Sequence, residues 1–134
     1  MNRFTKLGLL ACLAIATGLV ARPGTAQTPP TRRELMRTKL QFSEKILEGL
    51  TLEDYNLIAK GARSLKRLSE ASEWEVPTIP NADQFIVYTS EFQRLTDELA
   101  QKAKDKNIDG ATLAYFRLTS SCVNCHKYVR SLGP

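Results

Sequence analysis

Read along the chain, apolar and polar positions fall into four blocks of helical period, preceded by one apolar run of a different kind. From about Thr31 to Gly49, Leu35, Met36, Leu40, Phe42, Ile46, Leu47 and Leu50 share one broad arc at about 100° per residue. Gly49 stands where a helix would stop. The second block starts at Thr51, where TLED reads as a capping box with Asp54 in place of the usual Glu. Tyr55, Ile58, Ala62, Leu65 and Ser69 share its face, and it ends near Ser72. The stretch EWEVPTIPN follows, and Pro77 and Pro80 forbid regular helix there. The third block begins around Asn81, with Phe85, Tyr88, Phe92, Leu95, Leu99 and Ala103 stepping by three and four until the charged run KAKDKN. The fourth begins at Asp109 as N-cap, and Ala111, Tyr115, Leu118, Cys122, Cys125 and Val129 repeat the pattern before Gly133 and Pro134.

Nothing alternates with period two, and no Asn-Gly hairpin turn is present. Four amphipathic helices joined by short connections predict an all-α fold, an antiparallel up-down four-helix bundle. Leu57 and Leu68 fall off the core face of the second helix, three turns apart on one side, and mark a candidate homodimer seam; isolated surface leucines are the plainer reading. Lys39 lies inside the apolar arc of the first helix and is expected to reach out to water along its aliphatic stem.

The apolar run at the start changes how the charge is read. Arg3 and Lys6 precede LGLLACLAIATGLVA, and RPGTAQ follows with small residues around a cut after Ala26. That is the three-part layout of a secretory signal, and the run is too short to span a bilayer. The reading is therefore a cleaved signal peptide over 1–26, a short Pro-rich lead over 27–30 and one domain over 31–134. The mature protein is expected in the periplasm with no stable membrane insertion. Cleavage removes Arg3, Lys6 and Arg22 and no acid, so the formal charge falls from +5 to about +2. The excess is then too small to make a nucleic-acid stripe. Cys12 leaves as well, so Cys122 and Cys125 are the only thiols of the mature chain, in an oxidising compartment.

Those two cysteines and His126, the single histidine of the chain, form CVNCH. A structural zinc site needs four ligands, and the mature chain offers only these three Cys and His side chains. A redox dithiol belongs at a helix N-terminus, where the dipole lowers the thiol pKa; this pair lies toward a C-terminus. Two small buried cysteines on an apolar stripe would leave His126 unexplained. C-x-x-C-H is the attachment signature of c-type haem. Two thiols on one helix face add to the haem vinyl groups as thioethers, and the adjacent histidine supplies the proximal iron ligand. One covalent haem c per chain is the expectation.

A C-x-x-C-H near the C-terminus of a four-helix bundle, behind a signal peptide, resembles the class II cytochromes c, the cytochrome c′ family. The resemblance covers about Thr31 to Gly133. Arg130 matches the family's basic residue four after the histidine, which lies close to that histidine. Trp74 looks like the aromatic that members often carry after the second helix. RRELM is similar to the family's first-helix pattern, and it maps Arg32 to the basic position and Met36 to the residue facing the distal side of the iron. The resemblance implies a haem packed inside the bundle and a role in electron transfer or small-gas binding. In low-spin members a first-helix methionine binds the iron; in high-spin members an apolar side chain leaves it five-coordinate. Met1, the other methionine, would leave with the signal, so a sulfur ligand must be Met36. Axial His/Met ligation closes the iron and suits a single-electron carrier serving redox partner proteins. Three expectations stand: an electron carrier, a five-coordinate protein binding NO or CO, or a haem-free helical module with a redox dithiol. No catalytic set of side chains points to an enzyme.

Overall fold

The computed structural model describes residues 30–71 and 82–132. They form four helices: α1 (Arg32–Thr51), α2 (Tyr55–Glu70), α3 (Ala82–Lys104) and α4 (Ile108–Ser131). Consecutive helices pack side by side, while α1 and α4 meet far more sparsely. The all-α, antiparallel four-helix bundle is therefore the fold, with its α1/α4 side loosely closed. Ion pairs cross two of the seams, Lys66 to Asp97 at 2.6 Å between α2 and α3 and Arg117 to Glu98 at 3.1 Å between α4 and α3.

The helix ends follow from their caps. Thr31 caps α1 in a full capping box: its side chain accepts from the Glu34 N–H, and the Glu34 carboxylate accepts from the Thr31 N–H at 2.8 Å. The predicted box at Thr51 does not form. Thr51 belongs to α1, its hydroxyl donating to the Glu48 carbonyl, and Asp54 is itself the N-cap of α2, accepting from the Leu57 N–H at 3.0 Å. Glu53 makes the turn between them with φ of 53°. Asn107, rather than Asp109, caps α4 by accepting from the Gly110 N–H at 2.8 Å. Each reassignment has one cause: two cap-forming residues stand close together, and the one whose side-chain oxygen meets an orphan N–H wins.

Gly49 does not stop α1 but backs it onto α2. A Cβ there would sit 2.9 Å from Ile58 Cγ1. Gly61 does the same from α2, where a Cβ would lie 2.6 Å from Ile46 Cγ1. The core is built around this close approach: Ile46, Ile58, Ala62, Leu65, Leu95, Leu99, Ala103, Ala111, Ala114 and Leu118 are buried. It occupies the half of the bundle that holds the α1–α2 and α3–α4 connections. Toward the other end burial fades. Phe85, Tyr88 and Phe92 are half-buried on α3, and Cys122 and Val129 on α4 are exposed. Of the broad arc predicted for α1, Leu35 and Ile46 are buried and Phe42 and Leu50 half-buried, but Met36, Leu40 and Leu47 are exposed. The arc was too wide for one helix face, and its outer flank would need a closely packed α4 to cover it. Leu57 and Leu68 are half-buried.

Among the described residues no helix is long and apolar enough to cross a membrane. The proposed signal over 1–26, Trp74, Pro77, Pro80, Gly133 and Pro134 lie outside the described residues.

Candidate functional site

One contact sets the register between the first and last helices. The Tyr115 hydroxyl on α4 lies 3.0 Å from Ser43 Oγ on α1 and donates to the Ser43 carbonyl at 3.1 Å. Seven residues is about two helical turns and eleven about three, so such positions keep nearly the same face. Met36 lies seven before Ser43, and Cys122 seven after Tyr115. The two stand level across the seam. Arg32 lies eleven before Ser43, and His126 eleven after Tyr115, so these are level one turn further on. The register therefore brings Arg32 and Met36 opposite Cys122 and His126. Cys125 follows Leu118 by seven and Ala114 by eleven, which puts it on the arc that faces the buried core. Arg130 stands one turn beyond His126, at the helix end, and is exposed.

Cys125 is half-buried, Cys122 and His126 are exposed, and both cysteines are free thiols. Burial by neighbouring atoms pushes both thiols above the ordinary cysteine value, with the Lys39 charge opposing part of the rise. Among the described residues no group of three or more His, Cys, Asp or Glu side chains gathers around a point.

Lys39 departs from the sequence reading. It does not reach out to water. It is half-buried, with Nζ 5.1 Å from the centroid of the Phe92 ring across the bundle, near enough to both thiols for its charge to act on them. Burial lowers its pKa from the ordinary lysine value. The cause is geometric. The aliphatic stem can lie along the apolar wall, and the aromatic face of Phe92 gives the ammonium a substitute for water. Lys39 and the Ser43–Tyr115 clasp are the site features the sequence reading did not assign. A lysine on the inner arc was their one visible signal, and a Ser–Tyr contact 72 residues apart has none.

The open surface elsewhere is different in kind. A groove of about 370 Å³ between α3 and α4, lined in part by Tyr88, Arg94, Arg117 and Asn124, lies on the flank of α4 away from His126. Tyr88 and Tyr128 stack at its end, ring centroids 5.5 Å apart. None of its lining residues is a thiol or an imidazole, whereas the α1/α4 side carries both.

The residues on that side fit a covalently held macrocycle. Two free thiols one turn apart, the adjacent His126 and Met36 on α1 lie on the side of the bundle where α1 and α4 pack sparsely. No protein-family model, curated protein or solved structure matches the chain, so its functional reading rests on these residues and their placement.

Proposed function

We propose that the chain is a class II-like c-type cytochrome that carries single electrons, exported to the periplasm and serving redox partner proteins. What supports this reading is the register of the Ser43–Tyr115 contact, from which Met36 lies two turns along α1 and Cys122 and His126 two and three turns along α4 toward the same end of the bundle. Cys122 and Cys125 would hold the haem through thioether bonds. His126 would bind its iron from α4 and Met36 from α1. When bound, the haem supplies a one-electron couple, and His/Met ligation favours a high potential and leaves no open coordination site.

The chain's own residues divide the remaining work. The Ser43–Tyr115 clasp fixes the spacing of α1 and α4 just below the ligands. Leu35, Phe92 and Cys125 exclude water from the interior side. Arg32, opposite His126, and Arg130, one turn beyond it, place positive charge beside the ligand position, where it favours the reduced iron over the oxidised one.

Met36 is 41% exposed, and this favours a second reading in which α1 leaves the distal face open and the iron binds NO or CO. Met36→Ala separates the two. If Met36 binds iron, the ferric spectrum turns high-spin and CO binding appears in the variant; an unchanged spectrum removes Met36 as a ligand. The attachment itself is tested by denaturing protein produced in a haem-attaching periplasm. Colour should stay with the wild-type chain and be lost from the Cys122→Ala/Cys125→Ala variant. A colourless wild-type chain would sink the reading.

A further inference from the structure

The charges of the described chain are unevenly spread. From Arg32 to Ser43 on α1 and from Gly110 to Ser131 on α4, the sole acid is Glu34, and its carboxylate is engaged in the α1 capping box. Along the same helices Arg32, Arg33, Arg37, Lys127 and Arg130 are exposed around the site end. On the far half of α1, by contrast, Glu44, Lys45 and Glu48 mix both signs, and Lys45 pairs with Glu48.

The cations share their wall with uncovered apolar side chains. On α1, Met36, Leu40 and Arg33 fall within about 60° of helix surface at 100° per residue. On α4, Val123, Lys127 and Arg130 do the same. Leu40 is 59% and Val123 46% exposed. The Ser43–Tyr115 contact turns both strips to the same side of the bundle, flanking the seam that holds Met36, Cys122 and His126. An apolar centre with a rim of one charge sign is the layout of a docking surface, where charge steers the encounter and the apolar centre supplies contact.

We propose that the α1/α4 wall at the site end is the docking surface for an acidic protein partner, which exchanges electrons with the site through this seam. The identity of the partner as a redox protein rests on the proposed function; the surface and its charge preference do not. An acidic protein is favoured because the complementary feature is a ring of arginine and lysine heads around side chains of moderate size. Phe116, 69% exposed on α4, lies about two turns from Val123 toward the opposite half, outside that ring.

The test uses an acidic blue-copper protein as probe. With ¹⁵N-labelled full chain at low salt, amide shifts should concentrate in the first three turns of α1 and the last three of α4, and should vanish at high salt. With haem-loaded protein, the second-order electron-transfer rate to the same probe should fall about tenfold between low and physiological salt. Arg33→Glu/Arg37→Glu/Lys127→Glu should lower the low-salt rate by about as much, and Lys104→Glu on the opposite half should leave it unchanged. Shifts spread evenly over the molecule, a salt-independent rate, or an equal effect of Lys104→Glu would overturn the proposal. So would two other occupants of the same wall: phosphatidylglycerol vesicles binding where the acidic protein does not, or a dimer in sedimentation that the triple variant dissolves. A chain that takes up no haem would defeat the proposed function alone, because the amide shifts still decide the docking surface.

Discussion

On one side of the Ser43–Tyr115 contact, the four helices close on Ile46, Ile58, Leu99 and Ala111, all 0% exposed. On the other side the same α1 and α4 carry Met36, Leu40, Val123 and Val129 in contact with solvent, and the interior holds Lys39 over Phe92. The difference is one of residue size and chemistry. In the closed half, Gly49, Gly61, Ala62, Ala103, Ala111 and Ala114 let the helix backbones approach, and branched side chains fill the remainder. In the open half, Met36, Cys122 and His126 are exposed and Lys39 and Cys125 half-buried.

The comparison is broken most strongly by emptying the closed half. Leu99→Ala should cost about 2–5 kcal/mol in urea unfolding, whereas Leu40→Ala should stay within about 0.5 kcal/mol. Equal costs would mean the two halves are packed alike. Next comes Gly61→Ala, whose Cβ would meet Ile46 at 2.6 Å and the Phe42 carbonyl oxygen at 3.3 Å. Overpacking there should destabilise by about 1–3 kcal/mol, and a neutral result would show that α1 and α2 can slide apart freely.

Thr31→Ala removes the capping box at the open end and should cost about 1 kcal/mol. The hydrogen bonds from Thr31 hold Glu34 below its ordinary carboxylate value. The stability it contributes is therefore present above the ordinary Glu range and lost as pH falls through the lowered value. Thr31→Ala should flatten that acid limb.

The smallest expected effect belongs to the thiols of the haem-free chain. Their folded pKa values are raised, so the unfolded chain ionises first. Stability is full below the ordinary cysteine value and falls as pH climbs from there through the raised values. Cys122→Ala/Cys125→Ala should remove that alkaline decline. A decline that persists would belong to other groups.

How far the sequence carried the fold depended on what each signal measures. The helical period of the third block, Phe85 to Ala103, named α3 and its inward face, because a repeat of three and four over five turns has few other solutions. The ends were less legible. Thr51 and Asp54, like Asn107 and Asp109, are rival caps, and only the three-dimensional path shows which oxygen meets a free N–H. The width of the α1 arc misled for Met36, Leu40 and Leu47, since periodicity records which residues lie together on a helix and not whether a neighbour covers them. At the site, the spacing of Cys122, Cys125 and His126 was visible in five letters. The position of Met36 opposite them became visible only through the register that Tyr115 and Ser43 impose. Lys39 was misplaced because its partner, the Phe92 ring, lies on another helix and leaves no mark in the local sequence.

The absorption spectrum of protein matured in a haem-attaching periplasm, oxidised and reduced, with and without CO, is the most direct measurement. A low-spin spectrum in both states, unmoved by CO, is what His126 and Met36 on opposite sides of the seam should give. A high-spin spectrum that CO shifts would leave Met36 as a surface side chain and contradict the electron-carrier reading, and a spectrum without haem would contradict the site altogether.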